Sequence, residues 1–120
     1  MYGLDKNVDL SFLKDCELIQ VCIGLYQIIF KFYDDVAISV EGEFHYFNGQ
    51  DESIWRPESG FSVLAARTAT LLGSRIENFE SDANGTLVLA FSNGHRLLIM
   101  DSSKDYESYV ITRPGETIVI

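Results

Sequence analysis

The sequence predicts an α+β, mostly β fold, in which two pseudo-repeated halves of antiparallel hairpins or meanders form a sheet or open barrel with one main helix between them. Three observations predict this fold: short segments of alternating apolar residues, turn signals between them, and a pattern that repeats along the chain. The chain has 120 residues, of which 47% are hydrophobic and 22% are charged. These values are typical of one globular domain, so we predict that residues 1–120 fold as one unit.

The repeat is clearest when the chain is offset by 59 residues, which places Phe32 on Phe91. Residues 27–33 then match residues 86–92, with apolar residues at the same positions in both segments. The predicted parts of the domain are pseudo-repeats at about 13–47 and 72–112, joined by a loop at 48–60 and a helix at 62–72.

Each half is predicted to contain a β-hairpin. Ile28, Phe30 and Phe32 alternate with other residues, as the period of two in a half-buried strand requires. Residues 93–94, Asn-Gly, are a strong hairpin signal because both residues tolerate positive φ. Residues 34–35, Asp-Asp, are the corresponding turn of the first half. Further strands are predicted at 17–23, 36–40, 44–47, 75–80, 97–99, 106–112 and 117–120, which gives about eight strands in all.

One segment, residues 62–72, is predicted to form the main helix. Its apolar residues follow no alternation, and Gly73 suits the left-handed residue that ends a helix. Thr68 and Thr70 lower its helix propensity slightly. The preceding residues 48–60 are mostly polar and contain Pro and Gly, so we predict a long loop there.

The cysteines and histidines form no catalytic or metal-binding motif. A zinc site needs about four ligands, and beside Cys16 and Cys22 the chain offers only His45 and His95. We interpret the cysteines as reduced, partly buried thiols.

Paired carboxylates occur as neighbours at Asp34-Asp35 and Asp51-Glu52, where solvated turn residues are expected. No nucleophile elbow or phosphate-binding glycine loop is present. We therefore predict a protein that is not an enzyme and that binds no metal and no cofactor.

The chain carries a net charge of −9, which disfavours nucleic acid and anionic membranes as partners. Residues 34–58 hold seven acidic residues and one basic residue. The alternative interpretation is that these acids only keep a small protein soluble. The predicted partner-binding residues are Asp34, Asp35, Glu41, Glu43, Asp51, Glu52, Trp55, Arg56 and Glu58.

Two aromatic positions in this region have alternative interpretations. Trp55 is the only tryptophan, and it either anchors a partner or folds back to close one end of the sheet. His45 is either a pH-sensitive contact residue or an outward-facing strand residue between buried aromatic side chains. The chain lacks the basic start and apolar stretch of a secretory signal, so we expect a cytoplasmic protein.

Residues 24–27 (Gly-Leu-Tyr-Gln), 38–42 (Ile-Ser-Val-Glu-Gly), 72–73 (Leu-Gly) and 107–111 (Glu-Ser-Tyr-Val-Ile) carry a family resemblance. Together they resemble a family of small uncharacterised bacterial domains, over about residues 13–113. The resemblance implies strand and turn positions and brings no catalytic residue. In size, acidity and build the chain is also similar to immunity proteins, which neutralise toxins of interbacterial competition.

Two functions follow as expectations. The first is a non-catalytic inhibitor that binds a basic protein such as a nuclease toxin through its acidic surface. The alternative is a self-associating structural or regulatory module with a small-ligand pocket between the halves. A homodimer that pairs edge strands is expected in that case, because residues 118–120 are apolar.

Overall fold

The alternating apolar segments form ten strands in the part of the chain that the structure describes. The structure is a computed structural model, and it describes residues 8–56, 58, 63–101 and 108–120. Buried and more exposed residues alternate along the central strands, because successive side chains of a strand point to opposite faces. The strands are β1 (Leu18–Ile23), β2 (Ile28–Phe32), β3 (Val36–Val40), β4 (Phe44–Phe47), β5 (Glu52–Trp55), β6 (Ile76–Ser81), β7 (Leu87–Phe91), β8 (Arg96–Ile99), β9 (Tyr109–Arg113) and β10 (Glu116–Val119).

These strands form two antiparallel sheets of five strands. Sheet 1 has the order β1-β2-β3-β9-β10, and sheet 2 has the order β5-β4-β8-β7-β6. The prediction of a mostly β fold is confirmed. In place of one sheet or an open barrel, however, the described residues form two separate sheets and no closed barrel.

The two sheets have the same topology because the halves of the chain exchange their last hairpins. The first half supplies β1 to β3 of sheet 1, but its hairpin β4–β5 pairs with β8 of sheet 2. The second half supplies β6 to β8 of sheet 2, and its hairpin β9–β10 pairs with β3 of sheet 1. The pairing of β1 with β2 shifts between Leu18 and Gln20, and that of β6 with β7 shifts between Ile76 and Asn78. Each half therefore completes the sheet of the other.

Reciprocal backbone hydrogen bonds join the halves where β1 and β6 begin. The N–H of Asp15 donates to the carbonyl of Ile76 at 2.7 Å, and the N–H of Gly73 donates to the carbonyl of Leu18 at 2.9 Å. Asp15 precedes β1 as Gly73 precedes β6, so the two bonds are equivalent. Such reciprocity indicates an approximate twofold axis between the halves.

The inner faces of both sheets share one apolar core. The ring of Phe30, from sheet 1, meets the ring of Phe44, from sheet 2, edge to face at 5.9 Å between centroids. Aromatic pairs in this geometry contribute about 0.5–1.5 kcal/mol beyond their burial. Because the core draws side chains from both sheets, it holds the halves together.

The main helix predicted at 62–72 is not confirmed. Its described part is a four-residue helix, α1 (Val63–Ala66), followed by a 3₁₀ helix, Arg67–Leu71. The Thr68 hydroxyl donates to the Ala65 carbonyl at 2.7 Å, and the Thr70 hydroxyl donates to the Arg67 carbonyl at 2.9 Å. These bonds, three residues back, compete with regular α-helical bonding. No helix among the described residues is long and apolar enough to cross a membrane.

The loop predicted at 48–60 is also corrected, because it contains β5. Only Trp55 of β5 is buried, since this strand lies at the edge of sheet 2. A polar edge strand lacks the apolar alternation that reveals central strands. Residues 57, 59 and 60 of that segment lie outside the described part of the chain.

Candidate functional site

The acidic residues predicted to bind a partner lie at separate places in the fold. Asp34 and Asp35 form the 3₁₀ turn between β2 and β3, whereas Glu41 follows the other end of β3. The intervening strand β3 has five residues and spans about 17 Å at the usual rise per residue. Asp51 and Glu58 are exposed near β5. The structure therefore does not bring the predicted set together.

Trp55 is part of the core. Its side chain is 3% exposed, and its ring stacks on Phe44 with 5.5 Å between centroids. In the register of sheet 2, Trp55 lies directly opposite Phe44. Trp55 is therefore a buried core residue at the end of an edge strand, and its side chain is not exposed to a partner in this structure.

Glu43, Glu52 and Arg56 do come together, around His45 on the outer face of sheet 2. The two ring nitrogens of His45 lie 2.7 Å from Glu43 Oε2 and 2.7 Å from Glu52 Oε1. Arg56 Nε donates to Glu43 Oε1 at 2.8 Å. His45 is half-buried between the buried Phe44 and Tyr46, which confirms that it is an outward-facing strand residue.

The carboxylates of this network have partners within the chain. Partial burial raises the pKa of Glu43, but hydrogen bonds from His45 and Arg56 outweigh burial and lower it overall. Because the carboxylates are already paired within the chain, we interpret the network as a brace between β4 and β5.

An open cleft of about 490 Å³ lies where the two halves meet, at the end of sheet 1. Three carboxylates and two basic side chains line it, so its charge is negative. Glu17 and Arg75 face each other across the junction in an isolated antiparallel bridge. Asp34 is the one predicted site residue in the lining. The cleft is lined by Phe12, Lys14, Asp15, Cys16, Glu17, Tyr33, Asp34 and Arg75.

In the part of the chain that the structure describes, the carboxylates of the cleft are unpaired, unlike those of the network around His45. Within the described ranges, no ion pair joins Asp15, Glu17 or Asp34 to a basic side chain. Tyr33, on the rim, is 63% exposed. An exposed aromatic ring beside unpaired carboxylates suits a cationic group, which can contact the ring face and the charges together.

The thiol in the cleft is held in its protonated form. Burial, followed by the nearby carboxylates of Asp34 and Asp15, raises the pKa of Cys16. Its Sγ also donates to the carbonyl of Phe12 at 3.1 Å. A protonated thiol is a poor nucleophile. Among the described residues, no group of three or more His, Cys, Asp or Glu side chains is placed to hold a metal ion.

The carboxylates and the aromatic ring of the cleft come from the first half, and Arg75 comes from the second. In the second half, Gly73 takes the place of Asp15, and residues 92–93, Ser-Asn, take the places of Tyr33 and Asp34. The equivalent backbone positions therefore lack the carboxylates and the aromatic ring. The two halves therefore differ in side-chain chemistry at positions where their backbones are equivalent.

Sequence reasoning found Asp34 but missed Asp15, Glu17 and Tyr33. Glu17 and Tyr33 lie in segments predicted as a strand and a hairpin, Asp15 at the end of a short predicted helix, and only the junction of the halves brings them to one cleft. The repeat offset of 59 residues places Asp15 on Ser74, and only the structure shows that Asp15 is equivalent to Gly73.

The fold and the cleft define a class: a two-sheet β protein of exchanged halves with an acidic cleft at their junction. The chain belongs to the family of unknown function designated DUF6188, whose sequence model matches residues 10–120. This match confirms the resemblance to an uncharacterised domain family. No curated protein and no solved structure matches the chain, and the comparisons lend no support to the similarity with immunity proteins.

Proposed function

We propose that this chain is a non-catalytic binding domain that takes a basic segment of a partner protein into the acidic cleft at the junction of its halves. The observation that carries the proposal is the cleft itself: about 490 Å³, open to solvent, with three carboxylates against two basic side chains. A partner would insert a Lys or Arg side chain between Tyr33 and the carboxylates. An inhibitory role follows if that basic side chain belongs to the partner's own working surface.

The charge of the whole chain supports this choice of partner. With a net charge of −9, the protein attracts basic surfaces and repels nucleic acid. Long-range attraction raises the association rate, whereas buried contacts at the centre of an interface supply most of the binding energy. In this account Tyr33 is the aromatic contact, in place of the buried Trp55.

A second candidate uses the same cleft. Because Glu17 and Arg75 come from different halves, the cleft is also a pocket between the halves. A small organic cation, such as a polyamine, would fit its volume and its charge. Such a ligand would raise the unfolding temperature of the chain in the absence of any protein partner.

The test is affinity capture of the tagged full chain from its own source cells at low and high salt. The double variant Asp15→Asn/Asp34→Asn removes two charges from the cleft with little change in side-chain volume. The matched control, Asp51→Asn/Glu58→Gln, removes two exposed charges elsewhere. We expect a basic protein that the wild-type chain and the control retain at low salt and that the cleft variant loses. Equal capture by both variants would contradict the proposal.

A further inference from the structure

The outer face of sheet 1 carries an apolar row that crosses all five strands. The register of the sheet aligns one outward-facing residue from each strand, and four of the five are apolar. The side chains of the row are partly exposed, and Val119 is 40% exposed. We call this set the central row: Cys22, Ile29, Ser39, Val110 and Val119.

The equivalent row of sheet 2 allows a comparison, because it contains two polar residues where the central row contains one. There the register aligns Glu80, Val88, Leu98, His45 and Ile54. The charged network of His45, Glu43, Glu52 and Arg56 covers one side of it. An antiparallel sheet with one face in water normally carries polar residues on that face. At two positions of the row, sheet 1 has Cys22 and Val110 where sheet 2 has Glu80 and His45. The other three residues of the sheet 2 row are apolar.

The charges beside the central row are few and opposite. Lys31 lies next to the row on one side, two residues along β2 from Ile29. Glu41 lies on the other side, beyond the end of β3, and accepts a hydrogen bond from Gln27 at 3.4 Å. The face is therefore close to neutral on a chain whose net charge is −9.

This charge pattern indicates which kind of partner can bind the outer face of sheet 1. A basic partner needs carboxylates, and nucleic acid or an anionic membrane needs basic residues, but the central row offers neither. A second copy needs a face that is apolar and free of like charges, because the two chains repel each other elsewhere. Of these partners, a second copy matches both the apolar row and the near neutrality.

We propose that two copies of the chain dimerise by packing the outer faces of sheet 1 against each other, with the twofold axis along the central row. Each residue of the row then lies close to its own counterpart, as in an isologous interface. The same rotation reverses the strand direction, so Lys31 of one copy comes to the level of Glu41 of the other. Face-to-face sheets pack about 10 Å apart in such an arrangement.

The dimer is independent of the acidic cleft. None of the five residues of the central row lines the cleft, so both clefts of the dimer stay open. The two edge strands, β1 and β10, contribute only the outward-facing side chains of Cys22 and Val119, and Ile120, which follows β10, is buried in the core. The interface therefore uses the face of sheet 1 and not its edge.

The pseudo-symmetry supplies a matched pair of variants for the test. Val119 on β10 and Ile54 on β5 occupy equivalent edge-strand positions and are 40% and 38% exposed. Val119→Asp puts a charge into the proposed interface, and Ile54→Asp puts the same charge on sheet 2. Sedimentation velocity of the full chain at about 100 μM, above the micromolar dissociation constants of weak interfaces, measures the mass.

We expect the wild-type chain and Ile54→Asp to sediment at twice the 13.5 kDa of one chain, and Val119→Asp to sediment as a monomer. Burial of an unpaired charge should weaken the dimer about 100-fold or more. A wild-type monomer, or the same mass for both variants, overturns the proposal.

A charge exchange tests the direction of the axis without changing the core. Lys31→Glu and Glu41→Lys each place like charges opposite each other and should weaken the dimer. The double variant Lys31→Glu/Glu41→Lys should restore it, because the pair is exchanged. A double variant as weak as the single variants overturns the proposed axis.

Discussion

Asp15 and Gly73 occupy equivalent positions before the first strand of each sheet, and both have a left-handed backbone, with φ of 68° and 86°. The side chain of Asp15 lines the cleft, whereas the equivalent position of the second half has no side chain. Glycine adopts this conformation without strain, and a residue with a Cβ does not. The first half therefore has an aspartate with a strained backbone at the position where the second half has glycine.

The first prediction concerns this strain. Asp15→Gly should stabilise the fold by about 0.5–1 kcal/mol, since relief of the left-handed strain outweighs the entropy that glycine adds to the unfolded chain. Gly73→Ala, the matched control, should destabilise the fold by about 1 kcal/mol, although nothing lies within 4 Å of the added Cβ. Urea unfolding measures both. A loss of stability in Asp15→Gly would show that the carboxylate itself supports the fold.

The second prediction concerns Trp55. Trp55→Ala should destabilise the fold by about 3–5 kcal/mol, because it removes a buried ring that stacks on Phe44. Ile120→Ala at the equivalent position of sheet 1 should cost about 2–5 kcal/mol. The free energy of unfolding in urea, followed by circular dichroism, gives both values. A Trp55→Ala variant that is as stable as the wild-type chain but no longer binds the partner would show that Trp55 contacts the partner.

The third prediction concerns acid stability. Because the pKa of Glu43 is lowered in the fold, its ionised form stabilises the fold fully above its unfolded pKa of about 4.3. That contribution is lost as the pH falls through the lower folded value. Glu43→Gln should therefore show a shallower loss of unfolding free energy between about pH 5 and pH 3 than the wild-type chain.

The control for Glu43 is Glu77→Gln, which changes an exposed carboxyl on the edge strand β6. It should keep the acid dependence of the wild-type chain. If Glu43→Gln and Glu77→Gln follow the same pH curve, the network of His45 does not brace β4 and β5. His45→Gln should resemble Glu43→Gln, since it removes the same hydrogen bond.

The fourth prediction concerns Tyr109, whose hydroxyl donates to the carbonyl of Gly85 at 2.7 Å inside the core. Burial, with a smaller effect of Asp82, raises the pKa of Tyr109. Its neutral form stabilises the fold below the unfolded pKa of about 10, and this stability is lost as the pH rises further.

Tyr109→Phe should destabilise the fold at neutral pH by about 1–3 kcal/mol, because the Gly85 carbonyl loses its donor. It should also flatten the loss of stability above about pH 10. Phe44, the equivalent residue of sheet 2, shows that a phenyl ring fits this position in the fold. Unfolding free energies at several alkaline pH values measure the effect. Equal alkaline curves for the variant and the wild-type chain would contradict it.

The strands with apolar alternation were predictable from sequence, and those without it were not. β2, β3 and β7 lie at the centres of the sheets, where buried and exposed residues alternate. β5 escaped prediction because it is a polar edge strand that buries only Trp55. The helix was overpredicted because local apolar content does not reveal the competing hydroxyl bonds of Thr68 and Thr70.

The candidate site was predictable only in part. The acidity of the turn at Asp34 is visible in the sequence, but its neighbours in space come from the junction of the halves. The exchange of hairpins between the sheets leaves no sequence signal, because the same strands could pair within each half. Glu17 and Arg75 therefore lie opposite each other because of the topology of the two halves, which the local sequence pattern does not predict.

The central claim is that the acidic cleft binds a basic segment, and an NMR titration of the labelled chain with a short arginine-rich peptide at low salt tests it most directly. We predict that the amides of Glu17, Tyr33 and Asp34 shift most, and that the double variant Asp15→Asn/Asp34→Asn loses these shifts while Asp51→Asn keeps them. Shifts centred on His45, or shifts that persist unchanged in the double variant, would contradict the account.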